Sequence, residues 1–200
     1  MIYETLDGLA NVCHDVCIVG AGPVGISLAV ELYHLGFKVL LLESGRKTAD
    51  AYIQQLSTAD IVSPEIHDDM NIAVARRLGG TSNLWGGICL RFDPIDFITR
   101  PGLVDARWPI TCEELRPYYD RACWYARCGE PVWELPVPGV VTDDDTFGFH
   151  TLERATNQQK SQVIHRKVLA KSTGIDVRLS ATVIGFHFDP DGLVTAVEVV

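Results

Sequence analysis

Two glycine-rich segments contain the residues that are best suited to binding a ligand. The first, residues 20–25, reads GAGPVG and matches the pattern GxGxxG. In that pattern Gly20 permits a tight turn, Gly22 lets the backbone approach a pyrophosphate without a Cβ in the way, and Gly25 lets a helix pack closely on a strand. We expect these glycines, together with Pro23, to bind the ADP half of a dinucleotide, because the amides at a helix N-terminus attract anions.

An acidic residue, Glu43, occupies the position at which a dinucleotide site has a hydrogen-bond partner for the adenosine ribose. Glu43 follows an apolar run, about 20 residues after Gly20. A carboxylate there can accept hydrogen bonds from both ribose hydroxyls and would repel a 2′-phosphate, so the pattern disfavours NADP. The pattern does not separate FAD from NAD, since both contain ADP. A glycine turn with an unrelated surface glutamate is the alternative interpretation.

The second segment covers residues 78–87 and reads LGGTSNLWGG. Its four glycines and three small polar residues can expose successive backbone N–H groups and hydroxyls to a ligand at close range. Two glycine turns on either side of a core tryptophan, Trp85, would have the same composition. The segment is therefore a second candidate binding loop.

The first segment lies between elements that would hold it in place. Val16–Val19 and Val39–Leu42 are continuously apolar runs, typical of strands that are covered on both faces, and Val24–Leu35 has helical spacing. Strand, helix and strand in this order predict a right-handed βαβ unit with parallel strands. Residues 45–74 are polar and give no further strand and helix of the expected length, so we predict that the doubly wound pattern is interrupted there.

More elements are predicted downstream. Thr111 and Glu114 form a capping box that opens a helix through Ala126. The other predicted elements are a helix over Ser161–Ser172, a strand over Ile175–Leu179 and a hairpin of Ala181–Phe188 with Val194–Val200.

Together these elements predict an α/β protein with a Rossmann-like, three-layer parallel sheet and a β-meander, incomplete at the C-terminus. We predict that residues 1–130 form the first part of a cofactor-binding domain and that residues 161–200 form its truncated continuation. Residues 131–160, which contain several prolines, are predicted to be a loop or an excursion.

The composition excludes several classes of protein. The chain has 200 residues, 47% of them hydrophobic, which is typical of a folded globular protein. A formal net charge of −9 gives no basic surface for nucleic acid. The longest uncharged stretch, between Asp15 and Glu31, has 15 residues and contains three glycines and a proline, whereas a transmembrane helix needs ~20 apolar residues.

The cysteines and the N-terminus complete this picture. The six cysteines lack CxxC spacing, so we expect neither a disulfide framework nor a metal site. The N-terminal residues show no basic stretch followed by an apolar core, so by default we expect a cytoplasmic location.

Four segments, taken in their order, carry a family resemblance. They read DVCIVGAGPVGISLAVELYHLGFKVLLLESG, RRLGGTSNLWGG, FDPIDF and RWPITCEELRPYYDRA. This combination resembles the N-terminal, FAD-binding half of the glucose-methanol-choline (GMC) oxidoreductases, and most of all their bacterial branch similar to pyranose oxidases and sugar dehydrogenases. The resemblance implies that the first segment binds the ADP of FAD, with Gly20, Gly22, Gly25 and Glu43 as contacts.

The resemblance also implies that the second segment lies along the flavin and its pyrophosphate. The residues that correspond are Gly79, Gly80, Ser82, Asn83, Trp85 and Gly86, and Val183 corresponds to a residue whose backbone contacts adenine. In family members with covalently bound flavin, a histidine precedes the tryptophan of this segment. Leu84 occupies that position here, which implies that FAD is held non-covalently.

Family members use a histidine in their C-terminal part to remove the hydroxyl proton of an alcohol while hydride passes to flavin N5. The six histidines of this chain match no such motif, so we assign no catalytic residue. The resemblance implies an N-terminal fragment, itself inactive, of an FAD-dependent oxidoreductase acting on a CH–OH donor such as a sugar or related alcohol; the electron acceptor stays open. An NAD-dependent dehydrogenase and a non-catalytic flavin-binding protein are the alternatives.

Overall fold

The computed structural model describes residues 1–9, 12–100, 102, 108–135, 138–139 and 152–200. Part of the predicted 131–160 excursion lies outside these residues. The chain divides into two compact units, the first made of Met1–Trp85 with Lys160–Val200 and the second of Gly86–Gln159. The predicted domain division stays a prediction.

A parallel sheet forms the centre of the first unit. Its four strands are β1 (Ile2–Tyr3), β2 (Val16–Val19), β3 (Val39–Leu42) and β6 (Ile175–Arg178). They run in the order β1-β6-β3-β2, and all neighbours are parallel. The predicted α/β class with a parallel sheet is confirmed. The edge strand β1 was not predicted, because two residues are too few to show a hydrophobic period.

Helix α1 (Pro23–His34) connects β2 to β3. It buries Ile26, Ala29 and Val30, which are spaced three and four residues apart and therefore share one helix face. In β3 the side chains of Val39, Leu41 and Leu42 are all buried, as expected for a strand covered on both faces. The predicted βαβ unit is therefore present, with its elements within one residue of the predicted bounds.

The chain between β3 and the second glycine segment contains two short helices, α2 (Ala51–Gln55) and α3 (Met70–Ala73). Aspartates cap both of them: Asp50 accepts from the first turn of α2, and Asp69 from that of α3. The Gln54 amide joins the two helices by donating to Asn71 O within α3 and to Val74 O at its C-cap, at 2.9 and 2.8 Å. The predicted interruption is confirmed, since no strand occurs between residues 43 and 79.

The C-terminal part of the first unit contains a helix pair and a hairpin. The predicted helix over Ser161–Ser172 is two helices, α6 (Ser161–Ile164) and α7 (Arg166–Lys171), because His165 has φ −98° and ψ 10° and leaves the helical region. Strands β7 (Val183–Phe188) and β8 (Val194–Val199) pair antiparallel. The predicted hairpin is therefore present, and a meander that includes it stays a prediction.

The second unit is built on a short antiparallel pair, β4 (Ile88–Cys89) and β5 (Arg154–Ala155). The predicted capping box is present, with Glu114 N–H donating to Thr111 Oγ1 at 3.2 Å and Thr111 N–H donating to Glu114 Oε2 at 2.8 Å. The helix that it opens is interrupted at Pro117, which lacks an N–H. It consists of α4 (Cys112–Leu115), a 3-10 turn and α5 (Tyr119–Ala126).

Within the described ranges, no helix combines the length and the apolar character that crossing a bilayer requires.

Candidate cofactor site

The turn between β2 and α1 depends on two of its glycines. Gly20 has a φ of +99°, a conformation that side chains disfavour, and its N–H donates to Leu42 O at 2.7 Å. A Cβ on Gly25 would lie 1.9 Å from Gly20 O, so this position also requires glycine. The turn therefore directs the chain from the end of β2 straight into α1.

The N-terminus of α1 has the features of an anion-binding site. Gly22 is its N-cap and Pro23 its first residue; the N–H of Ile26, which donates to Gly22 O at 2.9 Å, makes the first turn of the helix. The N–H groups before it have no acceptor within the helix, and the helix dipole adds about half a positive charge there. A Cβ on Gly22 would meet one atom within 4 Å, Gly80 Cα at 4.0 Å, so the space above this glycine is open to a ligand.

The second glycine segment lies against the first. Gly79 has a φ of +90° and caps a 3-10 helix over Gly80–Asn83. The Gly79 N–H donates to Ala21 O at 2.8 Å, and a Cβ on Gly80 would lie 2.8 Å from Gly22 Cα. The two predicted binding segments thus meet backbone to backbone, and a side chain at position 80 would prevent this approach.

Glu43 joins the first turn to the end of β3. The residue is 5% exposed; Oε2 accepts from Ala21 N–H at 2.8 Å and Oε1 from Gly45 N–H at 2.8 Å. Oε1 also accepts from Ser44 Oγ at 3.4 Å, whereas Oε2 has capacity for a second hydrogen bond. Binding of the ribose hydroxyls by Glu43 stays a prediction. The structure adds a role that the sequence did not indicate, which is to fix the turn.

Ser82 and Asn83 direct their side chains into the protein. Ser82 Oγ donates to Gly79 O at 2.5 Å, and Asn83 Nδ2 donates to Leu78 O and Gly80 O at 3.1 and 2.8 Å. These bonds shape the segment, and so do those of the Gly79 and Gly80 N–H groups, which donate to Ala21 O and Arg77 O at 2.8 and 2.7 Å. Contacts of Ser82 and Asn83 with a cofactor stay predictions.

The side chains of Ser82 and Asn83 also form hydrogen bonds with residues of α6, which were not predicted to belong to the site. Ser82 Oγ lies 2.9 Å from Ser161 Oγ, and Gln162 Nε2 donates to Asn83 Oδ1 at 2.9 Å. Residues that far apart in the chain give no local signal for such pairing.

The remaining predicted residues lie in different parts of the chain. Trp85 ends the first unit, and Gly86 begins the second. Val183 opens β7, two residues after Ala181, whose N–H donates to Glu43 O at 2.9 Å. The Val183 segment is therefore adjacent to the end of β3, where the adenosine was predicted to lie. The roles of Trp85, Gly86 and Val183 in binding stay predictions.

These features fit a dinucleotide. The open space above Gly22 is bounded by the N-terminus of α1 and by the second glycine segment, and the N–H groups at the start of α1 are donors suited to phosphate oxygens. Glu43 and Ala181 lie at the neighbouring strand end, which is the usual ligand-binding edge of a parallel sheet.

Comparison with known proteins supports the same cofactor. A family model described as an FAD binding domain matches residues 13–66. The matched range includes the first glycine segment and Glu43. The prediction that this chain binds FAD is confirmed by that match.

Curated relatives are oxidases and dehydrogenases. The chain is 31% identical over 126 residues to paromamine 6′-oxidase from Streptomyces fradiae, covering 53% of this chain and 22% of the relative. It is 31% identical over 126 residues to 6‴-hydroxyparomomycin C oxidase from Streptomyces lividus, covering 56% and 23%. It is 29% identical over 126 residues to 2-methyl-1,2-propanediol dehydrogenase from Mycolicibacterium austroafricanum, covering 53% and 23%. The chain thus spans less than a quarter of the length of these relatives.

A solved structure has the same fold over nearly the whole chain. Pyridoxine 4-oxidase from Mesorbium loti superposes with a TM-score of 0.55 at 19% identity, covering 94% of this chain and 46% of that protein. Together with the relatives, this fold confirms the resemblance of the chain to the N-terminal, FAD-binding half of the GMC oxidoreductases.

Proposed function

We propose that this chain is the FAD-binding part of an oxidoreductase that acts on a CH–OH donor, a sugar or a related alcohol. The observation that carries the proposal is the approach of Gly80 to Gly22, which places the second glycine segment beside the open space at the N-terminus of α1. The printed names of the relatives, two oxidases of paromamine-type compounds and a propanediol dehydrogenase, support the substrate class.

In this proposal the chain's own residues hold the cofactor. The N-terminus of α1 and the 3-10 helix over Gly80–Asn83 hold the diphosphate, while Glu43 and the segment up to Val183 border the adenosine. Leu84 provides no atom for a bond to flavin, so the cofactor is held non-covalently. When bound, FAD supplies the acceptor for the hydride that leaves the carbon bearing the hydroxyl.

Proton removal is not assigned to any residue of this chain. The 200 residues are therefore proposed to bind FAD without turning over substrate, and a base outside them would accept the hydroxyl proton. We leave the electron acceptor unassigned.

The test uses the longest protein that the coding sequence specifies, purified and examined for bound flavin. Denaturation should release FAD into solution, as expected for non-covalent binding. Anaerobic mixing with a panel of sugars and simple alcohols should bleach the visible flavin absorbance, whereas NADH should not. A colourless protein that takes up no FAD, or a flavin reduced by NADH and by no alcohol, would overturn the proposal.

A further inference from the structure

Two side chains of helix α6 form hydrogen bonds with two side chains of the second glycine segment. The two pairs are Ser82 with Ser161 and Asn83 with Gln162, consecutive residues on each side. Both partners of the first pair are buried. Ser161 N–H also donates to Ser82 Oγ at 3.1 Å, so the serine pair is joined twice. Adjacent pairs of this kind fix both the position and the rotation of the 3-10 helix against α6.

Gln162 fixes the orientation of the Asn83 amide. Because Gln162 Nε2 donates to Asn83 Oδ1 at 2.9 Å, the Asn83 Nδ2 group must point back into its own segment. There it donates to Leu78 O and Gly80 O. Those two carbonyl groups flank Gly79, so this hydrogen bond from α6 contributes to the conformation of the loop around it.

Packing adds to this constraint. A Cβ on Gly79 would lie 1.8 Å from Gln162 Oε1, so the Gln162 amide rests directly on the glycine backbone. The same Oε1 is buried without a hydrogen-bond partner. An unpaired buried oxygen opposes folding, so the fold does not gain stability from this atom. The amide nitrogen is the part of Gln162 that has a structural partner.

We propose that Ser161 and Gln162 are positioning residues for the flavin-binding segment. They hold the segment over Gly79–Asn83 in place beside Gly22 before the cofactor arrives. Gly79 and Gly80 both have positive φ values, and glycines lose more conformational freedom on ordering than other residues. A segment ordered in advance does not lose that freedom on binding, which raises affinity. This inference rests on the proposed function, because it assumes that the segment binds FAD.

Gln162→Met is the most informative variant. Methionine has nearly the same length and volume as glutamine, so it keeps the packing on Gly79 and removes both the bond to Asn83 and the unpaired oxygen. We expect the melting temperature of the FAD-free chain to be unchanged or higher. We expect the Kd for FAD, measured by quenching of flavin fluorescence, to rise about tenfold, the equivalent of one lost hydrogen bond.

AMP serves as the probe that separates positioning from general stability. It lacks the flavin half, so its binding depends on the first glycine segment and Glu43 and should not change in Gln162→Met.

Val163→Ala, on the exposed part of α6, is the control and should alter neither affinity. In an Asn83→Ala background, Gln162→Met should have no further effect on FAD binding, because the two residues act through each other.

Each outcome decides between the two proposals. An FAD affinity unchanged by Gln162→Met, or FAD and AMP affinities that weaken together, would overturn the positioning role and leave the proposed function intact. A wild-type chain that binds neither FAD nor AMP would overturn the proposed function, and with it this inference.

Discussion

The Glu43 carboxylate accepts one backbone N–H on each oxygen, from Ala21 and from Gly45. It therefore connects the glycine turn to the residues after β3 before any ligand is present. A buried carboxylate bonded in this way stabilises the ends of two elements that would otherwise have unpaired donors.

We expect Glu43→Gln to lower the free energy of unfolding by about 1–3 kcal/mol, because an amide NH₂ cannot accept from the N–H group that it would face. Urea denaturation of the variant and the wild type measures the difference. Glu65→Gln, the same change at an exposed glutamate, is the matched control. Equal stability of both variants would contradict the assigned role of Glu43.

The sequence predicted Glu43, Gly20, Gly22 and Gly25 because spacing along a βαβ unit determines where these residues lie. It did not predict where side chains point. Ser82 is 2% exposed, although we predicted from the sequence that it contacts a ligand. Hydroxyls and amides satisfy neighbouring backbone groups as readily as ligands, and the sequence alone does not distinguish the two.

At the scale of elements, hydrophobic periodicity predicted α1 and the inner strands well. It did not predict where helices break. One helix breaks at Pro117 and another at His165. Before the first of these breaks, the capping box of Thr111 and Glu114 was predicted and found, because its side-chain bonds span only three residues.

Helix α5 ends in a Schellman motif that brings thiols together. Cys128 N–H donates to Cys123 O at 3.2 Å, and Arg127 has a φ of 51°. Cys123 and Cys128 are buried there with Trp133, and Cys89 packs against them. Burial, and after it the neighbouring Cys128 thiol, raises the pKa of Cys89 to about 11 and the pKa of Cys123 to about 12.

These shifts predict that the second unit loses stability at high pH. In the unfolded chain thiols release their protons near pH 8.5, whereas in the folded chain Cys89 and Cys123 keep theirs until about pH 11 and 12. The folded state therefore binds more protons across this interval, and stability falls as pH rises through it. Below the unfolded pKa the contribution is fully present.

Near-ultraviolet circular dichroism between pH 8 and pH 12 follows this loss through the buried Trp133. Tyrosines and lysines also titrate in that interval, so the comparison is between variants. Cys123→Ala should make the decline shallower, and Cys112→Ser should leave it unchanged because the pKa shifts belong to the buried cluster. Identical profiles for wild type and Cys123→Ala would contradict the assignment.

At the scale of the whole molecule, the first unit is assembled from both ends of the chain. Arg178 on β6 joins them. It bonds to both oxygens of Asp176 at 2.8 and 2.9 Å and to the carbonyl oxygens of Thr5 and Asp7 at 3.0 and 2.8 Å. Its guanidinium lies 4.1 Å from the centre of the Tyr3 ring. β1 depends on this contact, since two residues alone form a weak strand.

We expect Arg178→Met to lower the free energy of unfolding by about 3 kcal/mol, because it removes the partner of Asp176 and leaves two carbonyl groups without their donor. Limited proteolysis should then cleave the N-terminal segment faster than in the wild type. Arg166→Met, at an exposed position of α7, should change neither property. An N-terminus as resistant to proteolysis in Arg178→Met as in the wild type would show that β1 is held by other contacts.

We infer that the N-terminus of α1 and the second glycine segment form one diphosphate site. Gly22→Ala is the variant for this test, because Gly22 has φ −78° and ψ −175°, a conformation that alanine adopts, and the added Cβ makes only an ordinary contact with Gly80. The measurement is the Kd for FAD of the wild type and of Gly22→Ala by flavin fluorescence, with the unfolding transition of each recorded alongside. We expect both proteins to be folded, the wild type to bind FAD, and the variant to bind it at least about tenfold more weakly, since the methyl group occupies the space of the phosphate oxygens. Equal affinity of the two proteins for FAD, or no binding of FAD by the wild type, would contradict the assignment of this diphosphate site.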